Sequence, residues 1–153
     1  MKKLISALLP LTWIAATPAA AQTMQVSPNG ARASVAGPES HFTGRVTFTP
    51  WFVASEQSNA TGGQVEFTPG ARSNWHTHPA GQTLIVTAGA GWIQQEGSEK
   101  IAIKPGDVIT TSPGVKHWHG AQSQSSMTHI AVSPMAQGKN VDWLEPVTDA
   151  QYK

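Results

Sequence analysis

Five of the six histidines in this 153-residue chain fall in three short segments. They are His76-Thr77-His78, His117-Trp118-His119 and a lone His129. On an extended strand side chains alternate faces, so two histidines separated by one residue project together. Each pair can therefore turn two ring nitrogens toward one point. Neutral imidazole suits Zn, Cu, Fe and Ni and takes part in Mn sites. The same ring, with an unperturbed pKa of about 6.5, also suits proton transfer at neutral pH. Gln82 follows closely and offers a neutral carbonyl oxygen. Residue types and spacing leave the division between ligands and acid-base groups open.

Such a constellation needs strands to hold it, and strands are what the chain supplies. Runs with period-two alternation or β-branched content recur at 44–53, 64–68, 83–87, 91–95, 100–103, 107–111 and 127–132. Between them stand Pro69-Gly70, Pro79-Ala80-Gly81, Gly89-Ala90-Gly91, Pro105-Gly106 and Pro113-Gly114. These are turn chemistry, since proline presets φ and glycine accepts positive φ. Short, regular strands without a long amphipathic helix predict an all-β single domain, a sandwich, jelly roll or barrel. Thr148 could cap one last helical turn through Tyr152. Trp75, Trp92 and Trp118 alternate with polar residues and are expected to cover the barrel or a subunit interface. Arg72 and Lys116 flank the histidine segments and are expected to be solvated or interface charges.

Residues 1–21 carry Lys2 and Lys3, an apolar run, and a small-residue exit at Ala19, Ala20 and Ala21. That is the pattern of a signal peptide, and it predicts export to the periplasm or beyond. Its removal leaves 8 basic residues against 9 acidic, a formal charge of −1. A near-neutral chain has no field to attract nucleic acid, or a membrane once the signal is gone. There is no cysteine, so stability rests on an ordinary core. Residues 22–41, rich in Pro, Gly, Ser and Ala, are expected to form a flexible arm or linker, 42–137 the barrel, and 138–153 a C-terminal tail.

The segment Gly70 to Gly89 reads Gly, five residues, His-x-His, three residues, Gln, six residues, Gly. A Pro-Gly-Asp at 105–107 then leads into Pro113-Gly114-x-x-His117. This pair of motifs resembles the two motifs of the cupin superfamily, whose fold is a double-stranded β-helix or jelly-roll barrel. The longer pattern looks more specifically like the small bacterial manganese-dependent (R)-selective hydroxynitrile lyases within it. It runs through WHTHP, GQTLIVTAGAGW, KHWHGA, MTHIAV and VDWLEPVTDAQY.

The resemblance implies His76, His78, Gln82 and His117 as ligands of a divalent metal, manganese first, with Fe, Zn, Ni or Co as other candidates. Many cupins have Glu where this chain has Gln82. A neutral fourth ligand would leave the charge of a divalent ion uncompensated by protein. The resemblance further implies His119 and His129 as acid-base groups and Ser73 as a hydroxyl that holds a substrate oxygen. The implied activity is cleavage or formation of α-hydroxynitriles such as mandelonitrile. A metal-dependent dioxygenase and a non-catalytic periplasmic cupin that binds a small molecule are the alternatives. Edge strands and exposed apolar residues would be covered in a homodimer or homotetramer.

Overall fold

The computed structural model describes residues 23–153, and the export signal expected over 1–21 lies outside them. The elements in chain order are β1 (Val35–Ala36), β2 (Phe42–Thr43), β3 (Val46–Phe52), β4 (Ala60–Phe67), β5 (Arg72–Ser73), β6 (His76–Thr77), β7 (Gln82–Gly89), β8 (Gly91–Gln95), β9 (Ile101–Ile103), β10 (Val108–Thr111), β11 (His117–Ala121), β12 (Met127–Pro134), β13 (Asp142–Trp143) and α1 (Asp149–Tyr152). Each of the seven strands expected from the sequence has its counterpart.

The strands form two antiparallel sheets. One has the order β1-β3-β4-β12-β7-β10. The other has the order β13-β6-β11-β5-β2, with β8 also on β11 and β9 on β8. Alternation decides what faces the space between them. In β7, Gln82, Leu84 and Val86 are buried, while Thr83 and Ile85 are partly exposed. In β12, Met127 and His129 point the same way, opposite Phe67 and Val65 of β4. A register shift between Thr128 and His129 then keeps His129 opposite inward Val86 of β7. Such a bulge changes which residues are paired without breaking the ladder beyond it. The apolar end of the interior is closed by Val46, Phe67, Leu84, Ile93, Ile103 and Met127.

Both ends of the described chain join the barrel. β1, within the stretch expected to be an arm, pairs with β3, Val35 opposite Phe48. β13, within the tail, pairs with β6, Trp143 opposite His76. Beyond it, Val147 packs with Trp75 and Trp118, and Tyr152 with Trp92 lies against that cluster. Thr148 caps α1 as expected, in a reciprocal capping box with Gln151.

Arg72 departs from expectation. It is buried rather than solvated, because its Nε and Nη2 donate to the Val147 carbonyl at 3.1 and 3.0 Å and its guanidinium lies over the Tyr152 ring. Lys116 is held between Glu96 and Glu145, above the Trp75 ring. Of the tryptophans, Trp118 and Trp75 are buried under the tail instead of forming an outer cover.

Candidate active site

The two His-x-His segments lie on facing edges of adjacent strands. His117 of β11 is directly opposite His76 of β6, which places their rings 4.3 Å apart. His78 is 5.1 Å from His76 and 5.5 Å from His117, centroid to centroid. His119 is 5.2 Å from His76 and 4.8 Å from His129. All five are buried, so the sequence pattern has become one cluster at the polar end of the barrel interior. One nitrogen from each of His76, His117 and His119 lies within 4.8 Å of the other two. Proximity alone therefore does not separate ligands from acid-base groups.

The partner of each Nδ1 does separate them. His76 Nδ1 meets the Asn74 carbonyl at 2.9 Å and His117 Nδ1 meets the Val115 carbonyl at 2.9 Å. His78 Nδ1 meets the carbonyl of Asn140. A carbonyl only accepts, so each Nδ1 carries the proton and each Nε2 keeps a lone pair. That tautomer is the one a metal ligand needs, with the second nitrogen anchored to fix the ring. Among the described residues no backbone carbonyl holds His119 in this way, and His129 Nδ1 is buried without a hydrogen-bond partner. Instead His129 Nε2 and His119 Nδ1 face one another at 3.3 Å.

Gln82 completes the first group. Its amide nitrogen donates to Ser133 Oγ at 3.3 Å, and its Oε1 lies 3.4 Å from His117 Nε2. Two lone pairs then face each other, an arrangement that a cation between them would relieve. His78 Nε2 is buried with no hydrogen-bond partner among the described residues. A buried acceptor left unpaired costs about 1–3 kcal/mol. Three imidazoles and one amide oxygen supply donor chemistry that suits a divalent cation.

Burial lowers the pKa of every one of these rings. It holds His76 well below its ordinary value, with the charge of His117 adding to the effect. His78 is pulled to about 4, against the opposing pull of the Asn140 carbonyl. His117 is lowered too. His119 is held well below its ordinary value by burial and then by the charge of His129, and burial brings His129 to about 4. All five are neutral at pH 7. Neutral imidazole is the form that binds metal and the form that accepts a proton.

Ser73, expected to hold a substrate oxygen, is buried beside the histidine cluster. Its Oγ accepts the backbone N–H of His119 at 3.2 Å. Two-residue β5 sits against β11, and this brings the hydroxyl oxygen onto the β11 backbone.

Fold and site can now be set beside known proteins. The cupin domain family matches residues 63–133, which contain every candidate ligand and both members of the His119–His129 pair. The (R)-mandelonitrile lyase of Granulicella tundricola is 52% identical over 130 residues, covering 85% of this chain and 99% of the relative. The chain belongs to the cupin family. Among solved structures, a cupin-like protein of Thermotoga maritima superposes on this cupin with a TM-score of 0.73 and 38% identity, covering 82% of this chain and 95% of that one. A polyketide cyclase of Streptomyces resistomycificus, at 13% identity and a TM-score of 0.65 over 85% of this chain and 91% of its own, shares the fold alone.

Several residues of the cupin's site carry no sequence signal. Asn140 reaches His78 through its backbone, and Ser133 orients Gln82 from another strand. His41, the sixth histidine, lines the cavity beside Trp143. Each depends on a contact more than fifty residues away or on a strand pairing, and neither is written in local pattern.

Proposed function

We propose that this cupin is a hydroxynitrile lyase that cleaves α-hydroxynitriles such as mandelonitrile to an aldehyde and HCN, and runs the reverse addition. The observation that carries this reading is the division of the histidine cluster. Three imidazoles present anchored Nε2 lone pairs beside Gln82 Oε1, and two unanchored imidazoles form a proton-passing pair next to them. The 52% identity to an (R)-mandelonitrile lyase over nearly the whole of that relative supports it.

A divalent cation held by His76, His78, Gln82 and His117, manganese first among the candidates, would supply Lewis-acid polarisation of a hydroxyl or carbonyl oxygen. His119 does the proton work. Its neutral ring lines the cavity and accepts the proton of the substrate hydroxyl. The bond between the carbinol carbon and the nitrile carbon then breaks, its electron pair leaving with cyanide as the aldehyde forms. The proton taken from the hydroxyl goes to cyanide, giving HCN, so atoms and charge balance without an oxidant. His129, 3.3 Å from His119, shares the proton during the transfer. Ser73 accepts the His119 backbone N–H, and its own O–H hydrogen is left to donate to a substrate oxygen.

The reading places the mature chain in the periplasm or outside the cell, with a small neutral substrate and a homodimer or homotetramer as its assembly. The direct test is to supply mandelonitrile to the purified manganese-loaded protein and follow benzaldehyde and cyanide together. Equimolar release without oxygen uptake is expected. Oxygen consumption in place of cyanide release would overturn the lyase reading in favour of a dioxygenase.

A further inference from the structure

The segments on either side of the cupin core, each expected to lie outside the barrel, meet in the lining of its cavity. His41 precedes β2, and Trp143 ends β13. Their rings stack at 4.5 Å with an interplanar angle of 9°. Trp143 also stands edge-on to Phe42 at 5.3 Å and leans on His76 at 5.0 Å. Because Trp143 lies directly opposite His76 in the β13–β6 register, the indole is on the same face of the sheet as that imidazole. The family match at 63–133 includes neither His41 nor Trp143.

The cavity behind this pair has a volume of about 260 Å³. That is below the ~300–1,000 Å³ typical of sites for drug-sized ligands. Beside the histidines its lining includes Phe42, Phe48, Val65, Ala131 and Trp143, and among the described residues no Asp, Glu, Lys or Arg lines it. Phe48 lies across the bare backbone of Gly63, where a Cβ would come within 2.4 Å of the ring. The glycine lets the aromatic wall sit flat against β4. An ionised substituent would meet no side chain of opposite charge in this lining, at a cost of several kcal/mol, whereas a planar apolar one would pack against its aromatic and aliphatic side chains.

We infer that the His41–Trp143 stack is the substrate-selecting wall of this cupin. It seats a single planar apolar substituent, an aryl ring above all, and turns away small aliphatic and carboxylate-bearing substrates. This rests on the hydroxynitrile reading of the same site. His41 and Trp143 are specificity-determining residues here, and neither takes part in bond breaking.

The test compares the manganese-loaded wild type with Trp143→Leu, Trp143→Phe and His41→Leu, using mandelonitrile and the hydroxynitrile of acetaldehyde. Trp143→Leu is expected to lower the aryl-to-alkyl ratio of kcat/KM by roughly tenfold, as the loss of one aromatic stacking partner implies. The change should fall on KM for the aryl substrate, with kcat and bound manganese retained. Trp143→Phe should keep most of the preference, and His41→Leu should lose part of it. An unchanged ratio, or equal losses on both substrates together with lost metal, overturns the proposal in favour of a purely structural packing role.

Benzaldehyde binding by calorimetry, measured on the same proteins, is independent of turnover. If the loaded wild type cleaves no hydroxynitrile, the lyase reading fails. Weaker benzaldehyde binding in Trp143→Leu would still support the wall, and equal binding in all four proteins would remove it.

Discussion

Arg72→Leu should destabilise this cupin far more than the removal of a surface ion pair. Arg72 is buried, and two of its nitrogens donate to the carbonyl of Val147, itself 2% exposed. Leucine leaves that oxygen unpaired, at about 1–3 kcal/mol. Loss of the guanidinium over the Tyr152 ring, 4.7 Å from its centroid, adds about 0.5–2 kcal/mol. The contact with Asp149 adds little, because that carboxylate is 79% exposed and screened by solvent. The expected total is roughly 2–4 kcal/mol, or a drop in Tm of about 10 °C for a domain of this size. Urea and thermal unfolding of Arg72→Leu, Arg72→Lys and Asp149→Asn measure it. Arg72→Lys should fall between the other two, since an ammonium cannot reproduce the two-pronged contact. If Arg72→Leu costs no more than Asp149→Asn, the tail is not pinned by this residue.

Other consequences concern the site. His119→Ala should lower kcat for mandelonitrile by about 10²- to 10⁴-fold while manganese stays bound. Intact turnover at full metal occupancy would remove His119 from proton transfer. His129→Phe should also slow turnover at retained metal content, but by less, because the ring acts through His119; a larger loss than that of His119→Ala would reverse the assigned order. The metal-free protein should lose stability as pH falls below 6.5. His129 titrates at about 4 in the fold against 6.5 when free, so the unfolded chain binds the proton first. This one group should remove about 3 kcal/mol between pH 6.5 and 4. Denaturation midpoints at pH 7 and pH 4.5 check it, and a flat profile would contradict the buried neutral state.

Much of this architecture is legible in local pattern. Alternation and Pro-Gly turns locate the strands, and the His-x-His spacing locates the buried histidine cluster, because a period of two fixes which side chains share a face. Long-range partners are not legible in this way. Nothing near Arg72 says that it meets Val147, and nothing near His78 says that Asn140 anchors it. β1 and β13 are two-residue strands, too short to show alternation, yet they bring the ends of the described chain onto the barrel. Ser73 shows the same limit: its position beside the histidines is local, but its contact with the His119 backbone is set by the pairing of β5 with β11.

The most direct test of the central claim is a metal titration of the lyase reaction. The protein is stripped with a chelator, manganese is restored stepwise, and bound metal by elemental analysis is followed beside cyanide release from mandelonitrile. Occupancy and cyanide release should rise and saturate together in the wild type, and both should be lost in His76→Ala. Full occupancy without cyanide, or undiminished cyanide release from the stripped protein, would contradict it.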